Sequence, residues 1–347
     1  DAFIPPREAD EIRAYQLEFL QKNASRFEVR AKMGRVRDGH GDLRLEHVYL
    51  RANGELAILD CIEFNERFRF ADVGADLAFL SMDLADHDAP ELSELLLAYY
   101  ARESGDYDLF ALVDFYQSYR AFIRGKISAM LARDPSADVE ARERAALEAR
   151  RFFLLALSAA RAPLRRPVLV AVGGVIASGK STIAAALGRE MAAAVIESDR
   201  TRKQLVGVAP TEPIRDRVWQ GSYAPEMTEK VYAEILRRAE VVLASGRSAI
   251  LDASFRSRSS RQQLRDLAAR YQVPLRMIEA RCPKELCRRR LERRARESGV
   301  SDGRVEIFDD IYASFEPMTE LETDELLVID TDRPVDVNAL RSRVEAG

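Results

Sequence analysis

The run Gly174-Val-Ile-Ala-Ser-Gly179-Lys180-Ser181 fits the spacing G-x-x-x-x-G-K-[ST] at every fixed position, between a strand-like run and a helical one. Such a spacing binds phosphate. Its glycines let the backbone bend so that successive N–H groups point into one concavity, which the following helix N-terminus makes still more favourable for an anion. Lys180 is placed to reach the β- and γ-phosphates of a nucleotide, and the Ser181 hydroxyl to ligate Mg²⁺. The expected nucleotide-binding residues are Gly174, Ala177, Ser178, Gly179, Lys180, Ser181 and Thr182, with ATP and Mg²⁺ as cofactors.

Two carboxylates follow neighbouring strand-like runs: Asp199 after Ala194–Ser198, and Asp252 after Ala249–Leu251. In open parallel sheets ligands lie outside the carboxyl ends of the strands, so both can converge on the γ-phosphate. One then accepts a hydroxyl proton while the other holds Mg²⁺ through water. The same two positions also suit helix N-caps. Further on, Arg281–Arg296 is dense in cations, and Arg290 and Arg294, four apart, share a helix face. A cationic segment closing over the γ-phosphoryl group stabilises its developing charge and excludes water. A solvated helix face is the other reading, since Glu285 and Glu292 are interspersed.

A second constellation lies in the first half. His40-Gly41-Asp42-Leu43 precedes a strand–turn–strand, and Asp60 ends the second strand eighteen residues later. That spacing can present a hydroxyl base and a metal ligand on one wall.

The elements that must position these groups fall into two domains, residues 1–162 and 163–347. Leu45–Leu50 and Leu56–Asp60 read as a hairpin around Asn53-Gly54, and helical periods dominate from Ala75. Asp134-Pro135-Ser136 breaks the pattern and supplies an N-cap for a helix ending near Arg161. Beyond Pro163, the runs 168–172, 194–197, 248–251, 275–279 and 326–329 alternate with helical patterns. The expected second domain is α/β, a parallel sheet with helices on both faces.

With 47% apolar residues the chain can fill both cores, and 53 basic against 57 acidic residues leave a net charge of −4. No global cationic field therefore draws it to nucleic acid or anionic lipid. No apolar run is long enough to span a membrane, and three cysteines without a Cys-x-x-Cys pair point to a reducing cytoplasm. The start Asp-Ala-Phe-Ile-Pro-Pro has no initiator Met and no signal peptide, as if the chain began partway through a longer gene product. Nothing in the sequence fixes an oligomeric state.

Residues from about 167 to 345 resemble P-loop small-molecule kinases of the group containing gluconate kinase, zeta toxin and chloramphenicol phosphotransferase, close to polynucleotide kinase domains. The resemblance rests on Gly174–Ser181, Ser198-Asp199-Arg200-x-Arg202-Lys203, Leu251–Ser254 and Leu286-Cys-Arg288-x-Arg290-Leu291-x-x-Arg294. It implies a catalytic base at Asp199, lid arginines at Arg290 and Arg294, and an adenine contact near Asp330–Pro334. Residues 35–130, through His40–Leu43, Asp60 and Asp72-Val-Gly-Ala-Asp76, resemble the mainly helical C-terminal lobe of aminoglycoside phosphotransferases. That likeness implies Asp42 as base, Asp60 as Mg²⁺ ligand, and Asp72 and Asp76 as braces. The chain departs from the pattern at His47, where the family carries a metal-ligating Asn, and it has no first lobe. Together the halves resemble a bacterial family that fuses the two kinds of domain.

The expected function is an ATP- and Mg²⁺-dependent kinase acting on a small-molecule hydroxyl at the P-loop domain, with the acceptor left open. Its competitors are a polynucleotide 5′-hydroxyl kinase, supported by the local basic segment alone and lacking interleaved aromatics, and a non-catalytic ATP sensor. The first domain is a second transferase site, an inactive relic or a substrate-gathering platform.

Overall fold

A computed structural model describes residues 3–161, 163, 166–214, 220–294 and 305–346. The chain forms two compact units: residues 1–97 with 109–164, and residues 98–108 with 165–347. No described helix is long and apolar enough to cross a membrane.

The first unit opens with helix α1 (Pro6–Lys32) and four short strands, β1 (Val36–Asp38), β2 (Val48–Leu50), β3 (Leu56–Ile58) and β4 (Phe70–Asp72). Helix α2 (Glu66–Arg69) precedes β4. These strands make two antiparallel pairs, β1 with β4 and β2 with β3. The hairpin is shorter than its sequence suggests. Leu45–His47 form a 3-10 turn, pairing runs only from Val48↔Ile58 to Leu50↔Leu56, and Asp60 lies beyond the strand with φ 64°.

Helices α3 (Val73–Asp86), α4 (Pro90–Ser104), α5 (Val113–Leu131) and α6 (Val139–Ala160) follow. Ile12 of α1, Phe79 and Met82 of α3, Ala121 of α5, and Phe152, Phe153 and Leu157 of α6 share one buried core. Gly125 of α5 lets the helices close, because a Cβ there would stand 2.9 Å from the Phe153 ring. The cap of α6 is Asp138, which accepts the Ala141 N–H at 2.7 Å. Asp134, the expected cap, is occupied in a turn with the Ser136 N–H at 2.8 Å.

The second unit is built on strands β5 (Leu169–Gly173), β6 (Ala194–Glu197), β7 (Ala249–Asp252), β8 (Leu275–Arg281) and β9 (Leu326–Asp330). They form one parallel sheet in the order β6-β7-β5-β8-β9. Helices α7 (Lys180–Glu190), α8 (Ser198–Leu205), α9 (Pro225–Ala244), α10 (Arg258–Tyr271), α11 (Lys284–Arg294), α12 (Phe308–Ala313) and α13 (Val337–Glu345) surround it. Every residue of β5, β6 and β7 is buried, as expected of strands covered on both faces. Val170, Val172, Val195, Ile250 and Ile278 pack with Ile183 and Leu187 of α7 and Leu340 and Val344 of α13.

The parallel register sets Val172, Asp252 and Glu197 side by side at the carboxyl end of the sheet. The phosphate loop leaves β5 one residue further on. Its helix starts at Lys180, because Gly179 takes a left-handed backbone (φ 98°) and turns the chain into α7. Lys180 and Ser181 thereby stand in the helix's first turn.

Candidate active site

Gly174 has φ 136°, and a Cβ there would meet the Ala280 carbonyl oxygen at 2.5 Å and Ser178 Oγ at 3.0 Å. Only glycine fits that approach. Among the described residues, the backbone N–H groups of Ile176, Ala177 and Gly179 find no acceptor, and the buried Ser178 Oγ has no partner. Unpaired donors in one loop are costly unless something else satisfies them. Lys180 Nζ donates to the Val175 carbonyl at 2.9 Å, which folds the cation back over the same loop. Such a cradle of N–H groups around one ammonium suits the phosphates of a nucleotide.

Beneath it lies Asp252, 5% exposed. Burial raises its carboxyl to about 6, while Lys180 and a hydrogen bond from Ser181 pull it down and the Glu197 and Asp199 charges push it up. A buried carboxylate joined to the first-turn hydroxyl and facing the loop lysine is a hard-oxygen set suited to Mg²⁺. Asp199 stands half-buried in the first turn of α8, inside the electrostatic reach of Asp252. The structure therefore brings Lys180, Ser181, Asp199 and Asp252 to one place.

Neither aspartate caps a helix. Glu197 occupies the N-cap position of α8, and α10 begins six residues after Asp252 behind Ser257, whose Oγ accepts the Ser260 N–H at 3.2 Å. The capping reading is thus corrected at both positions. Glu197, absent from the sequence reading, is the third carboxylate in the row. Its charge is absorbed by Arg102, which approaches its two oxygens at 3.1 and 2.8 Å, and by Arg200 Nε at 2.9 Å. Tyr107 of the same segment donates to the Val195 carbonyl of β6 at 2.6 Å. These partners were invisible because they lie some ninety residues upstream.

Arg290 of α11 does not project into solvent. Its Nη1 donates to the Thr331 hydroxyl at 3.1 Å and to the Ala177 carbonyl at 3.3 Å. Thr331 in turn donates to the Ser178 carbonyl, and its N–H to the Arg281 carbonyl at 2.9 Å. The pair fastens the back of the phosphate loop to the ends of β8 and β9. Thr331 falls inside the stretch implicated in adenine contact, but its bonds had no local signal. Arg294 closes α11 one turn later, and its side chain lies outside the described residues. Two cations of the basic segment, Lys284 and Arg288, pair with Asp309.

In the first unit the His40-Gly41-Asp42 loop is held by Asp76, whose oxygens accept the N–H groups of His40 at 2.7 Å and Gly41 at 2.8 Å. Asp72 caps α3 through the Gly74 N–H at 2.8 Å and is gripped by Arg30. Asp42 accepts from Arg44 at 3.1 Å. His47 touches both candidate residues, its Nδ1 2.8 Å from the backbone carbonyl oxygen of Asp42 and its Nε2 3.4 Å from the Asp60 carboxylate. Asp60 itself is exposed.

Residues 169–318 match the AAA domain family AAA_33. Over 293 residues the chain is 35% identical to uncharacterized proteins of Mycobacterium tuberculosis strain H37Rv and Mycobacterium bovis, covering 84% of this chain and 56% of each relative. The chain thus spans about half the length of the curated relatives it matches. Among solved structures it is similar to a gluconokinase from Sinorhizobium meliloti, 21% identical over 52% of this chain and 91% of that one, TM-score 0.36. It is also similar to the Mycobacterium tuberculosis APS kinase in complex with AMPPNP and APS, 17% identical over 52% of this chain and 96% of that one, TM-score 0.36.

Proposed function

We propose that residues 163–347 form an ATP- and Mg²⁺-dependent kinase that transfers the γ-phosphoryl group to a hydroxyl of a small molecule. The observation that carries this reading is the phosphate loop, whose Ile176, Ala177 and Gly179 N–H groups have no acceptor among the described residues and over which the Lys180 ammonium folds, with the buried Asp252 at the end of the adjoining strand. Mg-ATP supplies an electrophilic γ-phosphorus and the cation that neutralises its oxygens. The loop N–H groups and Lys180 grip the β- and γ-phosphates, while Ser181 and Asp252 hold the metal side. Asp199, set at the opening of α8, receives the proton of the attacking hydroxyl. Arg290 keeps the loop in shape through Ala177 and Thr331. The polynucleotide reading rested on the basic segment of α11, two of whose cations are committed to Asp309.

The first unit is read as an aminoglycoside phosphotransferase-like C-terminal lobe, with Asp42 at the base position and Asp60 at the metal position. Here we propose a retained scaffold. His47, set against the Asp60 carboxylate and the Asp42 backbone carbonyl, brings a nitrogen donor where a hard cation needs oxygen.

Lys180→Ala should abolish phosphoryl transfer with the fold intact, and Asp199→Asn should keep ATP affinity while slowing the chemical step roughly 10²–10⁴-fold. Single-turnover kinetics beside an ATP-binding titration separate the two. Equal loss of ATP binding in the Asp199 variant would assign that residue to metal binding or structure.

Asp252 makes stability and activity oppose each other with pH. Its folded carboxyl, at about 6, lies above the ordinary 3.8, so the unfolded chain releases the proton first as pH rises and stability is lost between those values. Asp252→Asn should therefore melt above wild type at pH 7 without nucleotide, by roughly 2–3 kcal/mol, and converge with it near pH 4. Turnover should fall as pH drops through about 6, where the carboxylate is lost, and be minimal in the variant at all pH values. A variant melting below wild type at pH 7 would contradict the assignment.

For the first unit, Mg-ATP titrated into the Lys180→Ala chain should reveal no remaining stoichiometric site. A site that persists there and disappears on Asp60→Ala would establish a second kinase centre.

A further inference from the structure

Arg276 is the second residue of β8, set among the buried Leu275, Met277, Ile278 and Ala280 of the same strand. It is 7% exposed. Alternation along the strand puts it on the face of Ile278, which packs with Leu340 and Val344 of α13. Among the described residues its side chain makes one hydrogen bond, from Nη1 to the Leu275 carbonyl oxygen at 3.1 Å, and no carboxylate lies within ion-pairing distance of it. A bond to the neighbouring peptide neutralises no charge. A buried guanidinium without a counter-ion is costly, and the packing of a parallel sheet needs none.

Arg276 lines a cleft of about 710 Å³ at the amino-terminal end of the sheet, where the starts of β8 and β9 meet the end of α13. Two more arginines line the same cleft: Arg166, ahead of β5, and Arg343, in the last turn of α13. Arg166 is held in place by the Gln272 carbonyl, 3.2 Å from its Nε, and Arg343 has no side-chain partner among the described residues. Two carboxylates line the cleft as well. Glu325 is engaged by Arg265, and the exposed Asp324 pairs with none of the three arginines. Three cations thus share one cleft with a single uncommitted carboxylate. The cleft is separate from the phosphate loop: Arg276 precedes Ala280, whose carbonyl faces Gly174, by four strand residues, roughly 13 Å at about 3.3 Å per residue.

We propose that Arg166, Arg276 and Arg343 form an anion site at this end of the sheet, which binds the phosphate or carboxylate group of a small organic molecule. Planar guanidinium forks match the oxygens of either group, and the anion supplies the counter-charge that Arg276 lacks. The size of the cleft falls in the range of roughly 300–1,000 Å³ that takes an organic ligand rather than a bare ion, and Leu327 and Pro274 on its wall suit an apolar body. The site stands on the geometry of the sheet's amino-terminal end and does not depend on the kinase reading.

The test titrates the full chain calorimetrically with phenyl phosphate and with benzoate, which share an apolar ring and differ in the anionic group. Wild type and Lys180→Ala, whose phosphate loop is weakened, should share one saturable site of equal affinity. Tighter binding of phenyl phosphate assigns a phosphate ligand, and tighter binding of benzoate a carboxylate. Arg276→Gln and Arg343→Gln should each weaken that site roughly tenfold or more, with Arg276→Lys between Arg276→Gln and wild type. Should Arg276→Gln fail to fold, as circular dichroism would show, Arg343→Gln, at an exposed position, carries the same comparison. No saturable site for either probe in wild type, or equal affinity in a folded Gln variant, overturns the proposal. So does a site that disappears in Lys180→Ala and persists in the arginine variants, which would belong to the phosphate loop.

Discussion

The second unit turns on one carboxylate that the sheet takes out of water. Asp252 ends a strand buried on both faces, so its charge is unfavourable unless groups such as Lys180 and Ser181 offset it. The arrangement around it follows from that constraint. Glu197 in the same row is neutralised by Arg102 and Arg200, which leaves Asp252 and Asp199 as the acidic groups facing the loop. The loop glycines let the backbone pass close to β8, and Arg290 with Thr331 holds the outer side of that path.

The sequence carried what is local. The phosphate loop is a contiguous run with fixed glycine positions, and the strands of the second unit show as short β-rich runs at regular spacing. Asp199 and Asp252 could be placed at strand ends because a parallel sheet directs its strand termini to one edge. What was misread was equally local: N-cap preferences fit both aspartates, yet α8 starts behind Glu197 and α10 behind Ser257. In the first unit, three residues of the expected hairpin strand curl into a 3-10 turn, which leaves Asp60 outside the pairing.

What could not be read is whatever depends on register and distant packing. Glu197 looks like an ordinary strand residue until Arg102, ninety-five residues earlier, is found against it. Thr331 joins β8, β9 and the phosphate loop through its backbone and a single hydroxyl. In the first unit the motif residues do come together, but the geometry of His47 between Asp42 and Asp60 bears on what they can hold, and spacing alone does not give it.

The proposed chemistry requires that the phosphate loop accept a nucleotide with its unsatisfied N–H groups. Amide hydrogen exchange of the full chain, followed by mass spectrometry with and without Mg-ATP, reads those groups directly. Ile176, Ala177 and Gly179, which have no acceptor among the described residues, should exchange quickly in the free chain and be strongly protected by Mg-ATP, while residues 40–60 of the first unit remain unchanged. Protection confined to the first unit, or none in the loop at saturating nucleotide, would contradict it.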